Sequence, residues 1–169
     1  MIEKRDSHQG FDFMCTASDS GYRCGYVRIP EGHPLFGLGY TDPAPGISWE
    51  DLKGEMFGKR GFLSVLVANE RESPSLRLVF DVHGSLTFSD RFRGDGPPGW
   101  WIGFDCAHAG DDNDVHIMSE SFRKIYEKFG THGGIVRTTE YVETECRSLV
   151  DQILRWFPNH DGFQTKEAK

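Results

Sequence analysis

The chain has no long apolar run. No stretch approaches the ~18 consecutive apolar residues of a membrane-spanning helix. The opening MIEKRDSHQG contains no apolar h-region, so neither a span nor a secretory leader is expected. Cysteine is sparse, and no Cys-x-x-Cys pair occurs among Cys15, Cys24, Cys106 and Cys146. That excludes zinc-ribbon and thioredoxin-type readings and suggests buried, reduced thiols in a cytoplasmic protein. A basic excess is also missing: 19 Lys+Arg stand against 26 Asp+Glu, a formal charge of −7. A duplex-coating protein needs a broad basic face, so bulk nucleic acid is excluded as a partner. One nucleotide in a local pocket is not. Three signatures are absent as well: the P-loop, the GxGxxG fingerprint and the G-x-S-x-G elbow.

What is there argues for a folded core. The 169 residues fit a single domain over 1–169. Aromatic residues make up 13% of the chain, which disordered segments do not carry. Residues 1–9 and 162–169 are polar and read as flexible ends. Gly10–Ser18 and Tyr22–Ile29 read as a hairpin around an Asp19–Gly21 turn. Residues 30–48, rich in proline and glycine, read as a long surface loop. Ser48 could cap a short helix over Trp49–Met56. Phe62–Ala68 is a nearly continuous apolar strand. Leu76–His83 alternates, with Leu76, Leu78, Phe80 and Val82 on one face, and so reads as a strand. A Gly84-Ser85 turn leads to a further strand, Leu86–Ser89. Trp100–Cys106 is the last strand.

Helices come late. Ser119 caps the first, with Met118, Phe122, Ile125, Tyr126 and Phe129 at helical spacing and Gly130 at its end. Thr138 or Thr139 caps the second, whose stripe is Val142, Cys146, Leu149, Val150, Ile153 and Phe157. Pro158 stops it. Strands first and helices last predict an α+β fold. Its sheet is mostly antiparallel, with the C-terminal helix packed on it.

The densest chemistry lies in WWIGFDCAHAGD, Trp100–Asp111. Alternation places Trp101, Gly103 and Asp105 on one face of a strand, and a loop then presents His108 and Asp111. One reading is a pocket for a flat ligand. Trp100 or Trp101 stacks a base, Gly103 admits close approach, and Asp105 accepts from base or ribose donors. His33, His83 and His108 with Arg28 meet phosphate, and Thr87 lines the pocket. The bland reading is that the tryptophans fill the core and Asp105 caps the following turn. A second functional reading is a divalent-metal site of Asp105, His108 and Asp111, completed by His83, with a bound water as nucleophile. No cofactor is favoured, and no catalytic residue is assigned.

Four blocks together resemble a family of small tailed-bacteriophage and prophage proteins. They are Gly25–Pro30 running into Gly32-His33-Pro34-Leu35; Val82-His83-Gly84 with Leu86-Thr87-Phe88; Trp100–Asp111; and Tyr141-Val142-Glu143 through Leu149. The chain departs from that pattern in its long 41–75 segment and in Ser85, where a second glycine is expected. The resemblance implies a protein acting inside an infected bacterium against host defence. The leading expectation is a binding protein that sequesters a nucleotide-type immune signal. A metal-dependent hydrolase of such a signal is the alternative, and a protein-binding inhibitor of a host factor the third. A homo-oligomer is allowed on base rates.

Overall fold

A computed structural model describes residues 1–52, 73–92, 97–130 and 133–158. The chain builds a five-stranded antiparallel sheet in the order β1-β2-β3-β5-β4. Its strands are β1 (Ile2–His8), β2 (Phe11–Ala17), β3 (Arg23–Ile29), β4 (Phe88–Asp90) and β5 (Trp100–Asp105). A two-residue parallel ladder joins β6 (Asp111–Asp112) to β7 (Ile135–Val136). The helices are α1 (Leu76–Val79), α2 (Glu120–Phe129) and α3 (Thr139–Trp156). The α+β expectation holds, with α3 packed on β2 and β3. Among the described residues, no helix is long and apolar enough to cross a membrane.

The first nine residues are not frayed. Residues Ile2–His8 pair along β2, and the chain's N-terminal ammonium donates to Ala17 O at 2.7 Å. The segment is polar because β1 is an edge strand, where charge blocks pairing with a further strand. Those charges hold it to α3: Lys4 pairs with Glu143, and Arg147 donates to Asp6 at 2.8 Å. A tight turn at Gln9-Gly10 (φ 44° and 87°) returns the chain into β2, with Gly10 taking the positive φ that glycine tolerates.

One sheet face carries the core. Phe11, Phe13 and Cys15 of β2, Val27 and Ile29 of β3, and Ile102 and Phe104 of β5 meet the α3 stripe of Val142, Cys146, Leu149, Val150 and Ile153. The 3.6-residue period of that stripe needed only one apolar surface to meet, so this helix matches expectation. Thr138 caps it, accepting from Tyr141 N. The closest approach is at Gly25, where a Cβ would lie 2.5 Å from Phe104 Cζ and 2.7 Å from Cys146 Sγ. Gly25→Ala should therefore cost about 1–3 kcal/mol through overpacking. Urea unfolding of the two proteins measures it.

Leu76–His83 is not a strand. It opens with the single turn α1 and continues as irregular chain. The segment satisfies two periods at once, since Leu76, Val79 and Phe80 also stand at helical i, i+3, i+4 spacing. Burial through the turn follows the helical set: Leu76, Val79 and Phe80 are buried while Leu78 is half-exposed, and Val82 is buried in the irregular chain beyond it. The following strand begins at Phe88 rather than Leu86. Residues 30–48 form a loop as expected, but not one confined to the surface, because Leu35, Ala44 and Ile47 enter the core; residues 49–52 are helical. The rest of the Trp49–Met56 helix, the Phe62–Ala68 strand and the tail beyond Gly162 lie outside the described residues.

Helix α2 forms where expected. Ser119 Oγ accepts from Phe122 N. Its apolar side chains nevertheless enter no core, and Phe129 is 72% exposed. Helical spacing reports which side chains share a face, not whether anything covers that face.

Candidate functional site

The site lies past the end of β5, where three segments converge. The first is the irregular chain after α1, which carries His83. Its backbone N–H donates to Glu145 Oε2 of α3 at 2.9 Å. The second is the turn from Asp105 into β6. Here His108 N donates to Asp111 Oδ2 at 3.0 Å and Asp111 N donates back to His108 O at 3.0 Å. This reciprocal closure fixes the loop and the Asp111 carboxylate. The third is β7 with the first turn of α3, which brings Arg137 and Tyr141.

Asp111 is the hub, and its side chain is 4% exposed. His83 Nε2 lies 2.6 Å from its Oδ2, and Arg137 Nε donates to its Oδ1 at 2.8 Å. Burial pushes the Asp111 carboxyl upward. Hydrogen bonds from Arg137, His83 and the His108 backbone outweigh that, so it titrates below the usual carboxylate range. The other ring nitrogen of His83, Nδ1, is 3.0 Å from the Tyr141 hydroxyl. Arg137 in turn stacks over the Tyr141 ring at 4.8 Å.

His108 completes the group. Its ring meets that of His83 edge-on, with centroids 5.5 Å apart. It rests on Gly84, where a Cβ would fall 2.1 Å from His108 Cε1. Gly84 also has φ +67°, so both space and backbone require glycine there. Ser85 follows at φ +124°, a strained value for a residue with a side chain. His108 Nδ1 is buried and has no hydrogen-bond partner among the described residues, although the side chain as a whole is 33% exposed. It lies 3.8 Å from Asp105 Oδ1 and 4.0 Å from Asp111 Oδ2.

One ligand atom each from His83, His108 and Asp111 lies within 4.8 Å of the others. Two imidazoles and a carboxylate are the donor set of a three-ligand divalent site with a coordination position to spare. The groups that would orient the ligands are also present: Tyr141 on His83, and Arg137 with a backbone N–H on Asp111. Cys106 lies outside this group, and burial pushes its thiol up to about 12.

The remaining sequence candidates lie elsewhere or are already engaged. Asp105 accepts from Thr87 Oγ1 at 2.8 Å and from Ala107 N at 3.1 Å. That is the turn-capping role, so Asp105 and Thr87 stand beside the three-residue group rather than in it. Trp101 is buried on the opposite sheet face, edge-on to Phe92, and donates to Pro98 O. Trp100 donates to Leu38 O. Gly103 offers no platform, because the Tyr26 ring already occupies the space beside it. Arg28 is paired with Asp12 at 3.2 Å and packs on Gly99, beside Trp101. His33 is neither phosphate contact nor surface residue. It is buried edge-on to Phe11 and Phe157, and its Nδ1 accepts from Leu35 N at 3.1 Å. The single pocket expected from Arg28, His33 and the tryptophans with His83 and His108 is therefore not assembled.

Arg137 and Tyr141 escaped the sequence reading. One signal was available for Tyr141, which stands four residues before Glu145 and so shares its helix face. Both approach His83. No spacing in the chain connects Arg137 to a residue 54 positions away. Compared with protein-family models, curated proteins and solved structures, the chain matches none.

Proposed function

We propose that this protein is a divalent-metal-dependent hydrolase of a small nucleotide-type phosphodiester, with the metal held by His83, His108 and Asp111. The observation that carries the reading is the convergence of those three donors with their orienting partners in place. Zn²⁺ is the first choice for a nitrogen-rich set, with Mn²⁺ second. A bound divalent ion lowers the pKa of its water to near neutrality. Held by His83, His108 and Asp111, such an ion would supply a hydroxide that could add to phosphorus as the ester P–O bond breaks, its remaining proton going to the leaving oxygen. The products are a phosphate monoester and an alcohol.

The sequestration reading has less behind it, because Trp101 is buried and the half-buried Trp100 packs against Phe36 and donates to Leu38 O. The nucleotide character of the substrate rests on the bacteriophage resemblance. The test is metal analysis of protein dialysed against Zn²⁺, then mass spectrometry of cyclic dinucleotides and bis(p-nitrophenyl) phosphate incubated with it. One zinc per chain and chelator-sensitive monoester products are expected. Intact nucleotide recovered from a protein that binds it would restore sequestration. Protein that takes up no metal would remove the centre altogether.

A further inference from the structure

We infer that Arg137 is the anion-recognising residue of this centre, its guanidinium taking the non-bridging oxygens of a phosphoryl group beside the metal. The inference rests on the hydrolase reading and names what the site selects.

Arg137 is held at three points. Its carbonyl oxygen accepts from Arg23 Nη1 at 3.0 Å, its Nε donates to Asp111 Oδ1 at 2.8 Å, and its guanidinium lies 4.8 Å from the centroid of the Tyr141 ring. Arg23 is itself buried and tied to Glu3 and Asp114, so this anchor does not drift. A guanidinium carries five N–H donors. Only the Nε donor has a hydrogen-bond partner among the described residues. The two terminal amino groups remain, on a side chain that is 23% exposed. They sit on a cation fixed by contact with a metal ligand.

A purely structural arginine spends its fork on the carboxylate. Glu3 receives Arg23 in that bidentate way, through Nε and Nη2. Arg137 instead meets Asp111 through Nε alone and keeps its paired terminal donors. Such a fork matches two phosphoryl oxygens in spacing and charge. Because it is already ordered, little side-chain entropy is lost when an anion binds. Lysine would keep the charge and lose the fork. In a chain of net charge −7, one fixed cation at the reaction centre also explains how an anionic substrate is admitted without a basic surface.

The test compares wild-type protein with Arg137→Lys and Arg137→Ala, all at saturating Zn²⁺. Each is assayed on bis(p-nitrophenyl) phosphate and on the neutral ester p-nitrophenyl acetate, and inorganic phosphate binding is titrated calorimetrically. Phosphodiester turnover and phosphate affinity should each fall at least tenfold in both variants. Acetate-ester hydrolysis should fall by a clearly smaller factor than phosphodiester turnover, and added guanidinium should restore phosphodiester turnover to Arg137→Ala. A parallel fall on both esters, or unchanged phosphate affinity, would overturn the inference by showing that Arg137 only holds Asp111. If zinc binds and phosphate affinity still depends on Arg137 but neither ester is cleaved, the hydrolase reading fails while the anion site stands.

Discussion

Asp111→Asn should abolish stoichiometric zinc uptake. The substitution keeps the volume and removes the charge, so the ligand and the hub of the hydrogen-bond network are lost together. Loss of an orienting partner alone typically costs ~10–100-fold in metal affinity. Loss of this ligand should exceed that range. Tyr141→Phe, which removes only the group beside His83 Nδ1, should fall within it. Calorimetric zinc titration of the three proteins gives the order wild type, Tyr141→Phe, Asp111→Asn. Equal zinc binding in all three would mean that His83, Asp111 and Arg137 form an ion-pair network and nothing more. The asparagine variant also leaves Arg137 facing a neutral amide, so a small loss of stability accompanies the loss of metal.

The second large effect is on stability. Arg23 is 8% exposed. It donates to Glu3 through Nε at 2.7 Å and Nη2 at 3.1 Å, to Asp114 at 3.0 Å and to the Arg137 carbonyl at 3.0 Å. It links the edge strand β1, the loop after β6 and the approach to α3. Arg23→Ala strands two carboxylates whose compensation has gone, and breaking such a buried pair costs about 3–5 kcal/mol. Chemical denaturation at neutral pH measures it, and a loss below about 1 kcal/mol would refute the role.

The same cluster sets an acid limit. Burial raises the Asp114 carboxyl, but the His116 backbone N–H and Arg23 outweigh it and leave it below its usual value. A depressed folded-state pKa contributes stability at pH values above the unfolded value of ~3.9, and the contribution disappears as pH falls through the folded value. Acid unfolding of wild type should therefore sharpen below pH ~4, and Arg23→Ala should lose much of that dependence.

The legible parts of the chain were those whose pattern answers to one neighbour. The α3 stripe and its Thr138 cap are local facts, and any sheet would satisfy them. The β2–β3 hairpin and β5 were legible because apolar strand residues clustered between turns. Two segments misled, while α2 formed where its spacing put it. Strand β1 looked disordered because an edge strand needs charge, not alternation. Leu76–His83 alternated and also fitted a helical turn, and periodicity cannot separate these when a segment is so short. Helix α2 has a periodic apolar face, but Phe122, Ile125 and Phe129 on it are exposed. At the site, His83, His108 and Asp111 were singled out from residue type and proximity to loops. The roles of Trp100, Trp101, His33 and Arg28 were not recoverable, because an aromatic or histidine beside a glycine reads alike whether a ligand or a neighbouring ring fills the space. Tyr26 fills it at Gly103, and Phe11 and Phe157 enclose His33.

By itself, the sequence determined three things about this protein. It is an α+β chain of net charge −7, its C-terminal helix has one apolar stripe, and candidate imidazole and carboxylate groups gather around Trp100–Asp111. Only the tertiary structure decided which of those side chains share a centre. His83 and Asp111 are 28 residues apart, and Arg137 lies a further 26 on. Their meeting depends on β6 pairing with β7 and on α3 seating against the sheet. A charge of −7 is a sum over the chain, whereas recognition of an anion depends on where one guanidinium is held.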